Sequence, residues 1–377
     1  METIRMVDLT GQYEKIRNEI NAAIQGVIDS SAFIKGPEVK AFEQEFAEYL
    51  NVKHAISCGN GTDALQLALM VLDLEPGDEV ITTPFSFIAS IEVIRLLRLV
   101  PVLVDIRPDT FNIDDNLIEK AISRKTKAIM PVHLFGQCAR MENIMKIAKK
   151  HNLVVIEDNA QSVGTDYIFN DGSMKKSGTI GHMGCTSFFP SKTLGAYGDA
   201  GAVYTDDDEL AEKLWSVANH GMEKKYYYDN IGINSRLDSI QAAILRVKLK
   251  YLDEYIDARI QAASRYDRLL ESSPHYKTPE RVDYSSHSFH QYTLELFGID
   301  REELRSYLKE KGIPSMVYYP LPLHLQNAYR DLNYKRGDFK VSEQLSNSVL
   351  SLPMHTELTN EQQEYITSQL IEFAGKK

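Results

Sequence analysis

Lys192 lies in Thr186 to Thr205, TSFFPSKTLGAYGDAGAVYT, an aromatic and glycine-rich turn whose two flanks read as strands. A lysine amine can attack a carbonyl covalently, and loops at strand ends are where α/β folds place their active sites. Alone it says little, because the chain has 42 Lys and Arg and most such charges are solvated. Its companions say more. The apolar run LVVIEDNAQSVG carries Asp158 at the end of a strand, with Gln161 three positions on. A carboxylate closing a buried strand is costly unless a cation or a chemical task accounts for it. One such task is to pair with the protonated nitrogen of a pyridine ring, so that the ring can draw electrons. The other reading is a helix N-cap, which strand-to-helix junctions often carry. A third element is Ser57 to Asp63, SCGNGTD, between a short strand and an amphipathic helix. Its glycines free backbone N–H groups to approach an anion, and the helix start adds partial positive charge suited to a phosphate. Gly and Thr also open helices for capping alone. The stretch has neither a Walker-type lysine nor the dinucleotide glycine fingerprint that an NAD-dependent sugar dehydrogenase would need.

The elements that must position these residues follow from periodicity. Residues 80–83, 100–106, 127–134, 153–159, 185–189 and 201–205 read as strands, several continuously apolar, as strands buried on both faces of a parallel sheet are. Amphipathic segments at 63–72 and 141–151, the second stopped by Asn152, are the crossover helices such a sheet requires. A three-layer α/β core is expected. From Asp238 to about Leu270 the spacing predicts one long helical tract leading out of it. Beyond, 288–297 reads as a strand, 300–311 as a capped helix and 316–319 as another strand, together a smaller α+β unit.

With 377 residues, 43% of them hydrophobic, the chain can bury a large core. Its formal charge of −11 leaves no overall positive field for nucleic acid or an anionic membrane, so a small-molecule substrate is favoured. Three cysteines, Cys58, Cys138 and Cys185, are too dispersed for a disulfide framework or zinc site, and no metal is expected. The opening residues carry Arg5 and Asp8 rather than an apolar run, and 91–106 is broken by charges, so a cytoplasmic protein is expected.

The ordered stretches Gly36-Pro37-Glu38-Val39, GNGTDAL, PGDEV, HLFGQ, EDNAQS, SFFPSK, GINSRLDSIQAA and YYPLPLHLQ span nearly the whole chain. Together the chain resembles the DegT/StrS-type nucleotide-sugar aminotransferases, pyridoxal-phosphate enzymes of fold type I. The resemblance implies a three-layer αβα fold with a mainly parallel sheet, a large cofactor domain over 1–250 that includes an N-terminal helix, and a smaller α+β domain over 251–377. It implies that Lys192 bears the cofactor and moves protons, that Asp158 pairs with the ring nitrogen and Gln161 meets its phenolic oxygen, and that Phe87 stacks on the ring. Gly61, Thr62 and Ser187 would hold the phosphate, joined by Asn234 from the neighbouring subunit of a homodimer. Arg236, beside Asn234, could meet a sugar acid or phosphate, or form an interface salt bridge. His220, Tyr318, Tyr319 and His324 complete the implied substrate contacts, although this chain has Tyr318-Tyr319 where many members have a histidine before the tyrosine. The branch it most resembles aminates UDP-linked 2-acetamido-2-deoxy-3-oxo-glucuronate for surface polysaccharides, such as the O-antigen of lipopolysaccharide, with glutamate as donor. The alternatives are a dTDP-linked 3-keto or 4-keto 6-deoxyhexose and, from another class, a non-catalytic regulator that binds pyridoxal phosphate.

Overall fold

The computed structural model describes residues 3–375; the outermost residues of both expected domains, 1–2 and 376–377, lie outside it. Two N-terminal helices, α1 (Leu9–Ser30) and α2 (Pro37–Leu50), precede a seven-stranded sheet. Its strands are β1 (His54–Cys58), β2 (Glu79–Thr82), β3 (Val100–Leu103), β4 (Thr126–Ile129), β5 (Val154–Asp158), β8 (Met183–Ser187) and β9 (Gly201–Thr205). Between β5 and β8 a short hairpin intervenes, β6 (Asp166–Ile168) with β7 (Met174–Lys176). The sheet order is β1-β9-β8-β5-β4-β2-β3; β9 alone runs against its neighbours, so the sheet is mainly parallel, as its continuously apolar strands predict.

Helices cover both faces. Leu65, Leu67 and Leu69 of α3 (Gly61–Met70) pack with α4 (Ala89–Leu96) and α7 (Asp208–Val217) on one side. On the other, Ile118 of α5 (Asp115–Ala121) and Ile144 of α6 (Met141–His151) bury against Ile81, Ile129 and Val155. Helix α6 ends at Asn152, which takes the left-handed conformation at φ 52°, as its sequence position predicts. The long tract expected over 238–270 is two helices, α8 (Ser239–Leu249) and α9 (Leu252–Leu270), parted at Lys250 and Tyr251. The break lets α8 bury against α1 and α2 while α9 packs against the second core, two partners that one straight rod could not follow.

Between α7 and α8 lies an exposed hairpin, β10 (Met222–Lys224) with β11 (Tyr227–Tyr228). The smaller α+β unit is a three-stranded antiparallel sheet, β12 (Tyr276–Lys277), β13 (Tyr292–Leu296) and β14 (Val349–Leu352), covered by α9, α10 (Arg301–Glu310) and α12 (Asn360–Ala374). Asp300 caps α10 by accepting the Glu303 N–H at 2.9 Å. Two strand readings change here. The strand expected from 288 begins only at Tyr292, because the preceding residues turn around Gly136, whose carbonyl accepts the Ser288 N–H. Residues 316–319 form no strand beyond a single bridge from Met316 to Ser351. Pro314 before it and Pro320 and Pro322 after it remove the flanking N–H donors with which a ladder could extend. Helix α11 (Lys340–Ser348) is fastened to the large sheet by Asp105, which accepts the Val341 and Ser342 N–H groups and the Ser342 hydroxyl. Among the described residues, no helix is long and apolar enough to cross a membrane.

Candidate active site

The carboxyl ends of β1, β2, β5 and β8 open on one side of the sheet, and the residues that follow them meet in a cavity of about 450 Å³. Gly61 and Thr62 reach it from the start of α3, Phe87 from the loop after β2, and Asp158 and Gln161 from the end of β5. Ser187 closes β8, and Lys192 comes from the turn after it. Tyr318 and Tyr319, from the segment after α10, form part of another wall. Ligand-binding crevices form at this edge because the connecting loops are free to supply side chains there.

Asp158 is buried, and no helix follows it, so the N-cap reading does not hold. Its Oδ2 accepts from the Ser90 hydroxyl at 2.9 Å, itself 2.9 Å from the Ser86 hydroxyl, and its Oδ1 from the Ala160 N–H at 3.2 Å. Burial raises its pKa above the usual carboxylate value, opposed by these hydrogen bonds and by the charges of Lys192 and His133. Lys192 is pushed the other way: burial lowers its amine to about 8, against the pull of Asp158. About a tenth of that amine is neutral near pH 7, far more than for an ordinary lysine, which makes it a competent nucleophile. Gln161 turns its carbonyl to the Phe135 N–H at 2.8 Å and donates its amide N–H to the Tyr319 hydroxyl at 3.1 Å.

The helix start is shaped for close approach. Asn60 takes the N–H of Asp63 on its side chain and that of Ala64 on its carbonyl; those of Gly61 and Thr62 belong to the first turn, where a helix offers no partner. A Cβ on Gly61 would stand 2.5 Å from the Ser187 Cβ, so only glycine lets the helix meet the strand end here. The set fits pyridoxal phosphate on three counts: an anion site at a helix N-terminus beside a serine, a nucleophilic lysine, and a buried carboxylate without a cationic hydrogen-bond partner of its own.

The other four named residues lie elsewhere in the chain. His324 is buried away from the cavity, its Nε2 3.1 Å from Glu343 and its ring edge-on to Phe339, so it makes no wall of the cavity. His220 sits at φ 64° where the chain enters the exposed hairpin. Asn234 bridges to Asn219, and the Arg236 guanidinium reaches the Asn219 Oδ1 at 3.4 Å. Arg236 lines a small cleft with Lys35, whose ammonium stands 4.0 Å over the Trp215 ring; among the described residues neither cation is in an ion pair. Sequence reading missed His290, Gln291 and Asp199, which also line the cavity. His290 and Gln291 arrive on the turn before β13, and burial with nearby Lys192 and Arg259 holds His290 neutral well below its ordinary pKa. A His-Gln pair just before a strand was the available signal, but nothing local points it at residue 192.

A family model, the DegT/DnrJ/EryC1/StrS aminotransferase family, matches residues 14–371. The chain belongs to that family. It is a pyridoxal-phosphate-dependent nucleotide-sugar aminotransferase of fold type I. A pleiotropic regulatory protein of Geobacillus stearothermophilus is 49% identical over 372 residues, 98% of each chain. The UDP-2-acetamido-2-deoxy-3-oxo-D-glucuronate aminotransferase of Pseudomonas aeruginosa is 43% identical over 352 residues, 93% of this chain and 95% of that one. The dTDP-3-amino-3,4,6-trideoxy-alpha-D-glucose transaminase of Streptomyces venezuelae is 38% identical over 373 residues, 99% and 97% of the two. Among solved structures, S. venezuelae DesV in complex with a ketimine intermediate superposes with a TM-score of 0.95 at 38% identity, covering 99% of both chains. NtdA of Bacillus subtilis with bound cofactor PMP gives 0.88 at 32% identity, covering 97% of this chain and 82% of that one.

Proposed function

We propose that this aminotransferase moves an amino group from glutamate to a UDP-linked 3-keto sugar acid of the 2-acetamido-2-deoxy-3-oxo-glucuronate type, for a surface polysaccharide. The observation that carries the sugar acid is the pair Lys35 and Arg236, two cations lining one cleft in which the one carboxylate, Glu43, accepts from Ser57 and is in an ion pair with neither. Like charges held together in a half-buried cleft call for an anion, and a nucleotide-linked uronate brings a diphosphate and a carboxylate.

Pyridoxal phosphate, when bound, supplies the carbonyl for amine exchange and the electron-accepting ring. The chain's residues do the rest. Lys192 Nζ takes the α-proton of glutamate and, in the second half of the cycle, delivers a proton to the keto carbon of the sugar. Asp158 holds the ring nitrogen in its protonated state. Gly61, Thr62 and Ser187 would bind the phosphate, Phe87 would stack on the ring and Gln161 would orient it. Tyr318 and Tyr319 shape the sugar's side of the cavity.

Asn234 and Arg236 serve the cavity of a second subunit in this reading, since they do not line their own. Phe33, Ile34, Trp215, Ile231 and the Tyr226–Tyr228 run are exposed around the same segment, Ile231 by 91%, an apolar surface of the kind a second copy covers. Shared sites predict complementation: Lys192→Ala and Asn234→Ala subunits, each inactive alone, regain activity when co-expressed. Failure of mixed dimers to turn over would place Asn234 outside the neighbour's site.

The substrate is tested by loading the enzyme with the amine form of the cofactor, offering UDP- and dTDP-linked 3-keto and 4-keto sugars, and weighing the products. The uronate should react best. Arg236→Ala should raise its KM by about ten- to a hundred-fold, the loss of a charged hydrogen bond of about 1.5–3 kcal/mol, with the glutamate half-reaction little changed. Turnover of dTDP-deoxyhexoses alone would favour the second reading, supported by the 38% identical transaminase. The regulator reading draws on the name of the 49% identical relative, and the intact set of Lys192, Asp158 and Gln161 speaks for catalysis in this chain.

A further inference from the structure

Lys248 is a buried charge that the reaction, as read so far, does not use. It lies on α8 with 1% of its surface exposed, and among the described residues no carboxylate pairs with it. Burying an ammonium is expensive unless its protons are bonded. Its Nζ donates to the Gly195 carbonyl at 2.5 Å.

That carbonyl belongs to the turn that carries Lys192. The turn is tight: the Lys192 N–H reaches the Phe189 carbonyl and the Ala196 N–H the Phe188 carbonyl, both at 2.8 Å. A Cβ on Gly195 would come within 2.3 Å of the Pro190 carbonyl oxygen. Helix α8 holds the turn at a second point, where the Gln241 side-chain carbonyl accepts the Tyr197 N–H at 2.8 Å. Residues 241 and 248 are seven apart, two helical turns on one face, so one rigid helix grips the chain at 195 and 197.

We propose that Lys248 is a positioning residue for Lys192: by fixing the Gly195 carbonyl from α8, it sets the turn that presents the Lys192 amine to the cavity. The inference rests on the reading of Lys192 as the cofactor-bearing residue. Burial and then the charge of Arg259 push Lys248 down to about 7, so this hydrogen bond changes strength near neutrality. The groups that face it are Arg259 from α9 and Tyr197, whose ring centroid is 5.2 Å from Nζ; Tyr13 of α1 and Tyr255 of α9 stand behind Tyr197. Acids on the neighbouring helices α1 and α2 are engaged elsewhere, Glu38 and Glu45 with Arg246 and Glu19 with Tyr251.

The test is Lys248→Met, which keeps most of the length and an unbranched apolar stem. Its melting temperature should hold or rise, because a buried charge is gone. Its kcat should fall about ten- to a hundred-fold with KM for both substrates within about twofold, the effect of a misplaced catalytic group. The rate at which the visible band grows when pyridoxal phosphate is added to cofactor-free protein should fall in step, a readout independent of turnover. Wild-type kcat should decline as Lys248 loses its proton near pH 7, while the Met variant is slower and flat across that interval. Lys248→Gln, a donor without the charge, should recover part of the rate and stay flat. Wild-type kcat, band growth and pH profile in Lys248→Met would overturn the proposal, as would a destabilised Met variant with unchanged kcat. A Gln variant no faster than Met would also count against it. Failure of the underlying reading shows separately, as a visible band that survives Lys192→Ala.

Discussion

Lys192→Ala is expected to lower turnover by at least about ten-thousand-fold, to abolish the visible band of the bound cofactor, and yet to stabilise the cofactor-free protein at pH 7. The activity loss combines two roles in one side chain: a covalent anchor and a base placed for proton transfer, the latter alone accounting for about a hundred- to ten-thousand-fold. The stability gain follows from burial. The amine's pKa is depressed in the fold to about 8, while an unfolded lysine keeps its ordinary value. Between those values the unfolded chain binds more protons, so stability rises with pH across the window and the full penalty applies below it. Alanine removes the penalty, and the gain in melting temperature over wild type should be larger at pH 7 than at pH 10. A variant with an intact band, or one destabilised at both pH values, would contradict this account.

The sheet and most of its helices were legible because period and composition decide them locally: a strand buried on both faces is apolar throughout, and Asn152 or Asp300 ends or starts a helix by its own side chain and backbone. What failed was decided by distant contacts. The tract from 238 to 270 keeps a helical period through Lys250 and Tyr251, and only the two separate surfaces it must cover break it. The same holds for the site. Lys192, Asp158 and Gln161 announce themselves by standing at strand ends, 34 residues apart from Asp158 to Lys192 and adjacent across the sheet through the pairing of β5 with β8. His290 and Asp199 have no such mark; they reach the cavity because one turn wraps Gly136 and another closes on Lys192. Lys248 did carry a signal, a charged residue on the face of α8 that buries Ala242 and Leu245, but what it holds could be seen only in three dimensions.

Asp158→Asn should separate what the carboxylate does for the fold from what it does for the ring. In the cofactor-free protein its raised pKa means that the native state holds its proton to a higher pH than the unfolded chain. Stability therefore falls as pH rises through that interval, and once ionised the buried group is a net burden. Asparagine keeps the shape. Its oxygen can still accept from the Ala160 N–H, and its amide can donate to Ser90, whose hydroxyl then turns to Ser86. The cofactor-free variant should thus melt at or above the wild-type temperature at pH 7. With pyridoxal phosphate the sign reverses, because the buried carboxylate then faces a protonated nitrogen, and removing one member of a buried pair costs about 3–5 kcal/mol. Cofactor stabilisation measured by melting should shrink, and kcat should fall by roughly a hundred- to several-thousand-fold in both half-reactions, with KM for the sugar changed far less. The two half-reactions falling together is the informative result, since proton removal from glutamate and proton delivery to the sugar depend on the same electron-drawing ring. A defect confined to one of them would mean that Asp158 acts on a substrate instead.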